Sequence, residues 1–131
     1  MTSVFEKAEI DYLREPGRRL ARVATVGRDG MPHVVPAGWS YNSDLDTIDI
    51  GGHNVPGTKK FRDVARTGLA ALVIDDVLPP WQPRGIEVRG AAEALEGEGV
   101  IRVHPRRIVS WGLLSDRLGE HHARTVPGRA G

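Results

Sequence analysis

Short stretches rich in apolar and β-branched residues recur along this chain between polar, turn-forming sequences, a pattern typical of β-strands. The first half holds three such stretches, at residues 20–26, 32–41 and 47–51. Turn-forming sequences separate them, first Arg28-Asp29-Gly30 and then Asn42-Ser43-Asp44. We therefore predict three consecutive strands that are joined by tight turns.

The second half repeats the strand pattern. Residues 69–74 form a continuous apolar run, which predicts a strand that is buried on both faces. Residues 75–84 start with the turn-forming pair Asp75-Asp76 and are rich in proline, so they predict a long loop. Apolar and polar residues alternate clearly at residues 85–94, and a last strand is predicted at residues 100–111, bent near its middle by a proline.

Two short helices interrupt the strands. Ser3 and Glu6 have the spacing of a capping box, which predicts a first helix that Pro16-Gly17 ends. A second helix is predicted over residues 54–67, because its apolar residues share one face and Gly68 suits a C-terminal cap.

About six short strands with few helices indicate a mainly β fold, specifically a small antiparallel barrel with short flanking helices. Both faces of the first strand are apolar, with Leu20, Ala24 and Val26 on one side and Ala21 and Val23 on the other. This pattern predicts that a further surface packs on the outside of the barrel. A second copy of the chain is the simplest candidate.

The length of 131 residues leaves room for one domain. We assign it to residues 1–114, because the segment 115–131 is polar and aperiodic and is treated as a C-terminal tail. A net charge of +1 gives no reason to expect nucleic acid or a membrane as partner. No segment has the pattern of a signal peptide or membrane span, so a cytoplasmic protein is expected. The chain has no cysteine and its five histidines lack ligand spacing, so no metal is expected.

Three cations and a hydroxyl crowd the start of the predicted second helix: Thr58, Lys59, Lys60 and Arg62. A helix N-terminus carries about half a positive charge, so each cation there is disfavoured by roughly 0.3–1 kcal/mol. A bound phosphate reverses this effect, because free amides, helix dipole and ammonium groups then face one anion. The sequence thus predicts phosphate binding, with a solvated basic helix face as the alternative. The glycine patterns of a P-loop and of a dinucleotide-binding fold are both absent.

Several motifs, taken in order, carry a resemblance to a known family. Segments 29–36, 58–64, 70–76, 81–84 and 85–93 follow one another as in the pyridoxamine 5′-phosphate oxidase-like superfamily. Within it, the chain most resembles the oxidoreductases that depend on a deazaflavin, coenzyme F420. The resemblance implies a split β-barrel homodimer with two cofactor sites at the dimer interface.

The cofactor site of that family maps onto ten residues of this chain. Four would hold the cofactor phosphate, three would line its isoalloxazine-type ring, two would approach from the partner or a neighbouring loop, and one would lie near the substrate. In that order they are Thr58, Lys59, Lys60 and Arg62; Val34, Val35 and Pro36; Trp81 and Arg84; and Trp111.

The resemblance implies hydride transfer from reduced coenzyme F420 to a small molecule with an activated double bond or a quinone-like ring. Two alternatives stay open, an FMN-binding oxidase or flavin reductase of the same fold and a non-catalytic carrier of flavin-type cofactors. No acid–base pair stands out, as is common where the cofactor carries the chemistry. The candidate proton donor is His53 or an ordered water. Residues 111–117 depart from the substrate-binding signature of true pyridoxamine-phosphate oxidases, so that vitamin oxidase activity is not expected.

Overall fold

Seven strands, two α-helices and a short 3-10 turn form the described part of this computed structural model, which comprises residues 2–17, 19–114 and 120–127. In chain order they are α1 (Lys7–Leu13), β1 (Ala21–Val26), β2 (Pro32–Asn42), β3 (Thr47–Gly51), the 3-10 turn (Val55–Gly57), α2 (Lys59–Thr67), β4 (Leu69–Leu78), β5 (Gln82–Leu95), β6 (Val100–Trp111) and β7 (His121–Thr125).

All neighbouring strands run antiparallel, in the order β3-β2-β1-β4-β5-β6-β7. Strand β3 also pairs with β6, where Ile48 lies opposite Val103 and Ile50 lies opposite Ile101. The first six strands therefore close into a barrel, and β7 extends the sheet beyond it. This architecture confirms the predicted mainly β fold, a split β-barrel with short flanking helices.

One face of each barrel strand fills the core, as alternation requires. Strand β4 shows this clearly, because Ala70, Leu72 and Ile74 are buried. Leu69, at the start of the same strand, is 52% exposed. The prediction that residues 69–74 are buried on both faces is therefore wrong for a single chain, whose outward face carries apolar side chains without cover.

Strands β4 and β5 form one long hairpin where the sequence pattern predicts a long loop. Asp75 pairs with Gly85 and Asp76 with Arg84 in the ladder, so the loop prediction for residues 75–84 is wrong, as is the reading of Asp75-Asp76 as a strand-ending turn. The physical reason is cross-strand pairing. The Arg84 guanidinium binds the Asp76 carboxylate with an Nε–Oδ1 distance of 2.7 Å and neutralises it.

Helix α1 begins three residues later than the Ser3 cap predicts. Its capping box consists of Glu6 and Glu9, and the Glu6 amide donates to the Glu9 carboxylate at 2.8 Å. The Ser3 hydroxyl donates instead to Asp46, in the turn between β2 and β3. Helix α2 ends at Gly68 as predicted, with a left-handed φ of 69°. Within the described ranges, no helix combines the length and apolar character needed to cross a bilayer.

Strand β7 lies in the segment that the sequence pattern sets apart as a tail. It pairs with residues 107–111 of β6. Arg124 of β7 and Ser110 of β6 both donate hydrogen bonds to the fully buried carboxylate of Glu9 in α1. These three residues, which we call the Glu9 cluster, tie the first helix to the last strand.

Candidate functional site

A cleft of about 540 Å³ lies between α2 and the hairpin that joins β1 to β2. Four of its lining residues are cationic and two are carboxylates, which leaves a formal charge of +2 with the histidine neutral. The lining residues are Arg28, Asp29, His33, Lys59, Arg62, Asp63 and Arg66. We call this the anion cleft, because its charge and its many N–H donors suit a phosphate group.

Helix α2 turns one face towards the anion cleft. Lys59, Arg62, Asp63 and Arg66 recur at intervals of three or four residues, so they lie on the same side of the helix. Lys60 is half-buried and is not among the residues that line the cleft. Two of the four predicted phosphate ligands, Lys59 and Arg62, thus face this space.

Thr58, a third predicted ligand, is the N-cap of α2. Its hydroxyl accepts a hydrogen bond from the Phe61 amide at 3.3 Å and donates to the Val55 carbonyl at 2.6 Å. The side chain therefore fixes the start of the helix, and through it the direction of the Lys59 side chain.

Asp63 anchors the cationic face of α2 to the barrel. Its buried carboxylate accepts hydrogen bonds from Thr25 of β1 at 2.9 Å, from Lys59 at 3.3 Å and from Arg66 at 3.4 Å. Burial acts to raise the pKa of Asp63, but the hydrogen bonds from Thr25 and Lys59 outweigh it and hold that pKa below its usual value. The ionised carboxylate positions the Lys59 ammonium at the cleft.

Three polar groups converge on Gly27. A Cβ atom at this glycine would lie 3.0 Å from His33 Nε2, 3.1 Å from Asp29 Oδ1 and 3.2 Å from Lys59 Nζ. A side chain at Gly27 would therefore crowd these groups. His33 and Lys59 can both donate hydrogen bonds to a phosphate in the anion cleft, whereas the Asp29 carboxylate can only accept them.

The predicted ring-binding strand lies beside the anion cleft. Val34, Val35 and Pro36 follow His33 on β2, and all three are exposed. Strand β3 pairs with β2 only as far as Gly38. In the described part of the chain no strand covers the outer edge of residues 33–37, so a flat, hydrogen-bonding ring has backbone groups to lie against.

The remaining predicted site residues lie at the opposite end of β4. The cleft adjoins the start of this strand, whereas Trp81 follows its end, roughly 30 Å away at about 3.3 Å per residue. Trp81 is 67% exposed, and Trp111 packs over Gly85 and against the ring of His121. A single chain does not bring these two tryptophans to the cleft.

Arg84, at the same far end, is engaged within the chain. Its guanidinium binds Asp76 at 2.7 Å and Glu15 at 2.6 Å, and it lies over the ring of Tyr12. Hydrogen bonds from Arg84 hold the pKa of both carboxyl groups below their usual values. Its observed role is to fasten the α1–β1 connection to the β4–β5 hairpin.

Sequence reasoning did not single out Arg28, His33, Asp63 and Arg66. Helical spacing from Lys59 offers a signal for Asp63 and Arg66, which fall four and seven residues later. No local pattern marks Arg28 or His33, because only the folding of the hairpin onto α2 brings them to the cleft.

Comparison with known proteins decides the family. The model of the pyridoxamine 5′-phosphate oxidase family matches residues 7–126 of the chain. The chain belongs to the pyridoxamine 5′-phosphate oxidase family. A Streptomyces rimosus member named 5a,11a-dehydrotetracycline/5a,11a-dehydrooxytetracycline reductase is 38% identical over 97% of this chain and 96% of its own length. At this identity over nearly the full length, this family member is an oxidoreductase.

Solved structures share the family fold at low identity. A heme-binding protein of Mycobacterium smegmatis matches 95% of this chain with a TM-score of 0.66 and 13% identity, and the chain spans 60% of its length. An FAD-binding protein of the same organism gives a TM-score of 0.61 and 23% identity over 83% of this chain and 94% of its own. A structure described as an F420 reductase gives a TM-score of 0.59 and 20% identity over 80% of this chain and 98% of its own. These likenesses establish the split barrel.

Proposed function

We propose that this family member is a coenzyme F420-dependent reductase, which transfers a hydride to an activated double bond or quinone-like ring of a small molecule. The observation that carries the proposal is the anion cleft directly beside the open edge of β2. A phosphate and a flat ring joined by a short linker match these two adjoining features.

The named relative supports the reductase direction. Its name describes a substrate with an unsaturated polycyclic skeleton, and its 38% identity extends over nearly the whole chain. An electron-poor alkene conjugated within a fused-ring small molecule is therefore the substrate class we propose. The lack of the family's vitamin-binding signature at residues 111–114 and in the following tail argues against pyridoxamine phosphate as substrate.

The residues present fit a deazaflavin or flavin nucleotide. Lys59 and Arg62 would hold the phosphate, and the backbone of residues 34–36 would lie along the ring. When bound, the cofactor supplies the hydride, while a proton from solvent or a side chain completes reduction of the double bond. The chain contributes binding, orientation and a positive field, which is the usual division of labour in cofactor enzymes.

A direct titration tests the cofactor. The purified protein is titrated with coenzyme F420 and separately with FMN, each followed by fluorescence, and then assayed with reduced cofactor and a panel of activated alkenes. We expect F420 to bind and its reduced form to be oxidised by an alkene substrate, which is reduced in turn. Tight FMN binding without F420 binding would replace F420 with FMN, and tight binding without turnover across the panel would favour a carrier.

A homodimer is part of the proposal. The outward faces of β1, β2 and β4 carry exposed aliphatic side chains. A groove of about 390 Å³ is lined by residues of β1 and β4, by Pro32 of β2, and by residues of β5 and β6 that include three arginines. Contiguous exposed patches of this kind mark association surfaces. The exposed side chains are Val26, Val34, Leu69 and Val77. A second copy on this face would also give Trp81 and Trp111 a route to the partner's cleft.

Charge placed on this face should break the dimer. Leu69→Glu buries a carboxylate in an apolar contact, whereas Leu45→Glu changes an equally exposed leucine in the β2–β3 turn, on another part of the surface. Light scattering should give twice the chain mass for the unmodified protein and for Leu45→Glu, and the single chain mass for Leu69→Glu. If Leu69→Glu still has twice the chain mass, the dimer contact lies on another face.

A further inference from the structure

We propose that the β1–β2 hairpin is the second half of the anion cleft and that His33 is a phosphate ligand which takes up a proton when the anion binds. This inference rests on the proposed function, because it concerns the same cleft. It adds a ligand that the family resemblance does not assign and a pH dependence of cofactor binding.

The hairpin holds His33 in a fixed position. The Gly27 amide donates to the Met31 carbonyl at 3.0 Å, and the Gly30 amide donates to the Gly27 carbonyl at 2.9 Å. The Asp29 carboxylate accepts from the Met31 amide at 3.0 Å, which closes the turn. His33 is the second residue of β2 and pairs across the ladder with Thr25 of β1, the same residue that binds Asp63. His33 is therefore held next to β1, the strand to which Asp63 also anchors α2.

The imidazole and the Lys59 ammonium lie close together at the anion cleft. His33 Nε2 and Lys59 Nζ are 3.0 and 3.2 Å from the position that a Cβ atom at Gly27 would take, and both residues line the cleft. His33 is half-buried, so its ring is not free to turn away into solvent without losing packing. A phosphate in the cleft would meet a donor from the hairpin and a donor from the helix.

The surrounding charges couple anion binding to the protonation of His33. The ionised Asp63 carboxylate is shared by Thr25, Lys59 and Arg66, and the cleft as a whole keeps a formal charge of +2. In the empty cleft, a protonated His33 is repelled by the neighbouring cations. When a phosphate is bound, the protonated imidazole can donate a hydrogen bond to it. Histidine side chains change charge between about pH 5 and 8, within the range where this difference acts. The charged groups that face His33 are Arg28, Asp29, Lys59, Arg62, Asp63 and Arg66.

The sign of the effect follows from linkage. If the bound state holds more protons than the free state, affinity rises as pH falls through the range in which histidine side chains change charge. The second ionisation of an FMN phosphate, near pH 6, works in the opposite direction. The informative quantity is therefore the affinity ratio between the unmodified protein and a His33 variant at each pH, in which the titration of the ligand cancels.

The test uses His33→Gln, with His122→Gln as the matched control. His122 is exposed on β7, away from the cleft. Calorimetric titration with F420 and with FMN, in two buffers of different ionisation enthalpy, measures the protons taken up. We expect His33→Gln to take up fewer protons, and to bind about tenfold more weakly near pH 5 but about equally near pH 8. His122→Gln should match the unmodified protein throughout.

The outcomes separate this inference from the proposed function. Cofactor binding with equal proton uptake in both proteins would overturn the role of His33 and leave the reductase proposal intact. If neither cofactor binds, the proposed function fails, and a titration with sulfate, whose charge is constant over this pH range, decides the inference. Sulfate binding that weakens in His33→Gln at low pH supports it, and equal or absent binding overturns it.

Discussion

Replacing Lys59 with alanine should weaken cofactor binding by about 1.5–3 kcal/mol, which is roughly 10- to 150-fold, because a charge-assisted hydrogen bond to the phosphate is lost. Lys60→Ala is the matched control. It removes the same side chain one position along α2, where the residue does not line the anion cleft. We expect its affinity to stay within a few-fold of the unmodified protein, although the two lysines are indistinguishable from the sequence.

Thermal unfolding checks that Lys59→Ala acts on binding and not on folding. The Lys59 side chain is 49% exposed, and Asp63 keeps its hydrogen bonds to Thr25 and Arg66 when the ammonium is removed. The midpoint temperature of thermal unfolding should therefore change little in Lys59→Ala. Equal affinities of Lys59→Ala and Lys60→Ala, measured by the same fluorescence titration, would take Lys59 out of the site.

Replacing Glu9 with alanine should lower the free energy of unfolding by about 3–5 kcal/mol, since it removes one partner of a buried ion pair and leaves the other without a counter-charge. Arg124 would lose both of its contacts to the carboxylate, and the buried Ser110 hydroxyl would lose its acceptor. Chemical denaturation measures the effect. Glu96→Ala, in the exposed turn after β5, should change stability by no more than about 0.5 kcal/mol.

The same cluster predicts an acid-sensitive contribution to stability. Burial acts to raise the pKa of Glu9, but hydrogen bonds from Arg124 and Ser110 outweigh it, and the folded-state pKa lies below the ordinary value of 4.5. A lowered folded-state pKa means that the contribution is complete above the unfolded-state pKa and is lost as pH falls through the folded-state pKa.

The neutral variant Glu9→Gln tests this sign. The stability difference between the unmodified protein and Glu9→Gln should be constant above about pH 5 and should shrink as the pH falls below about 4.5. Denaturation curves at a series of pH values measure it. A difference that does not change with pH down to acid unfolding would show that the carboxylate charge contributes nothing.

The local pattern of apolar and polar residues was sufficient to predict the strands whose two faces differ in polarity. Strand β3, predicted at residues 47–51, has those bounds in the structure, and β6 spans the predicted residues 100–111. The β4–β5 hairpin was missed because proline and aspartate usually signal loops, and here cross-strand partners accommodate them. Arg84, eight residues from Asp76, neutralises a carboxylate that the local sequence leaves unpaired.

Strand β7 could not be predicted from its own sequence. Its first three residues and Thr125 are exposed, so it has no alternation to detect. What holds it is backbone pairing to β6 and the contact between Arg124 and Glu9, which are separated by 115 positions. Information of this kind is distributed between distant segments, and a window of neighbouring residues does not contain it.

The candidate site likewise has one part that the local sequence predicts and another part that depends on tertiary contacts. The unfavourable crowding of cations at a helix start predicted a phosphate site, and the structure places Lys59 and Arg62 of that group in one cleft. Arg28 and His33 enter the cleft only because the β1–β2 hairpin folds against α2. Their contribution depends on tertiary contacts, which explains why neither was among the residues predicted to hold the cofactor.

The Glu9 cluster also sets the order in which the molecule can be completed during synthesis. Glu9 is synthesised 115 positions before Arg124. Until that arginine arrives, the carboxylate lacks the counter-charge that makes its burial favourable, so α1 cannot settle permanently onto the barrel. A chain that terminates before Arg124 should therefore carry a loosely attached α1.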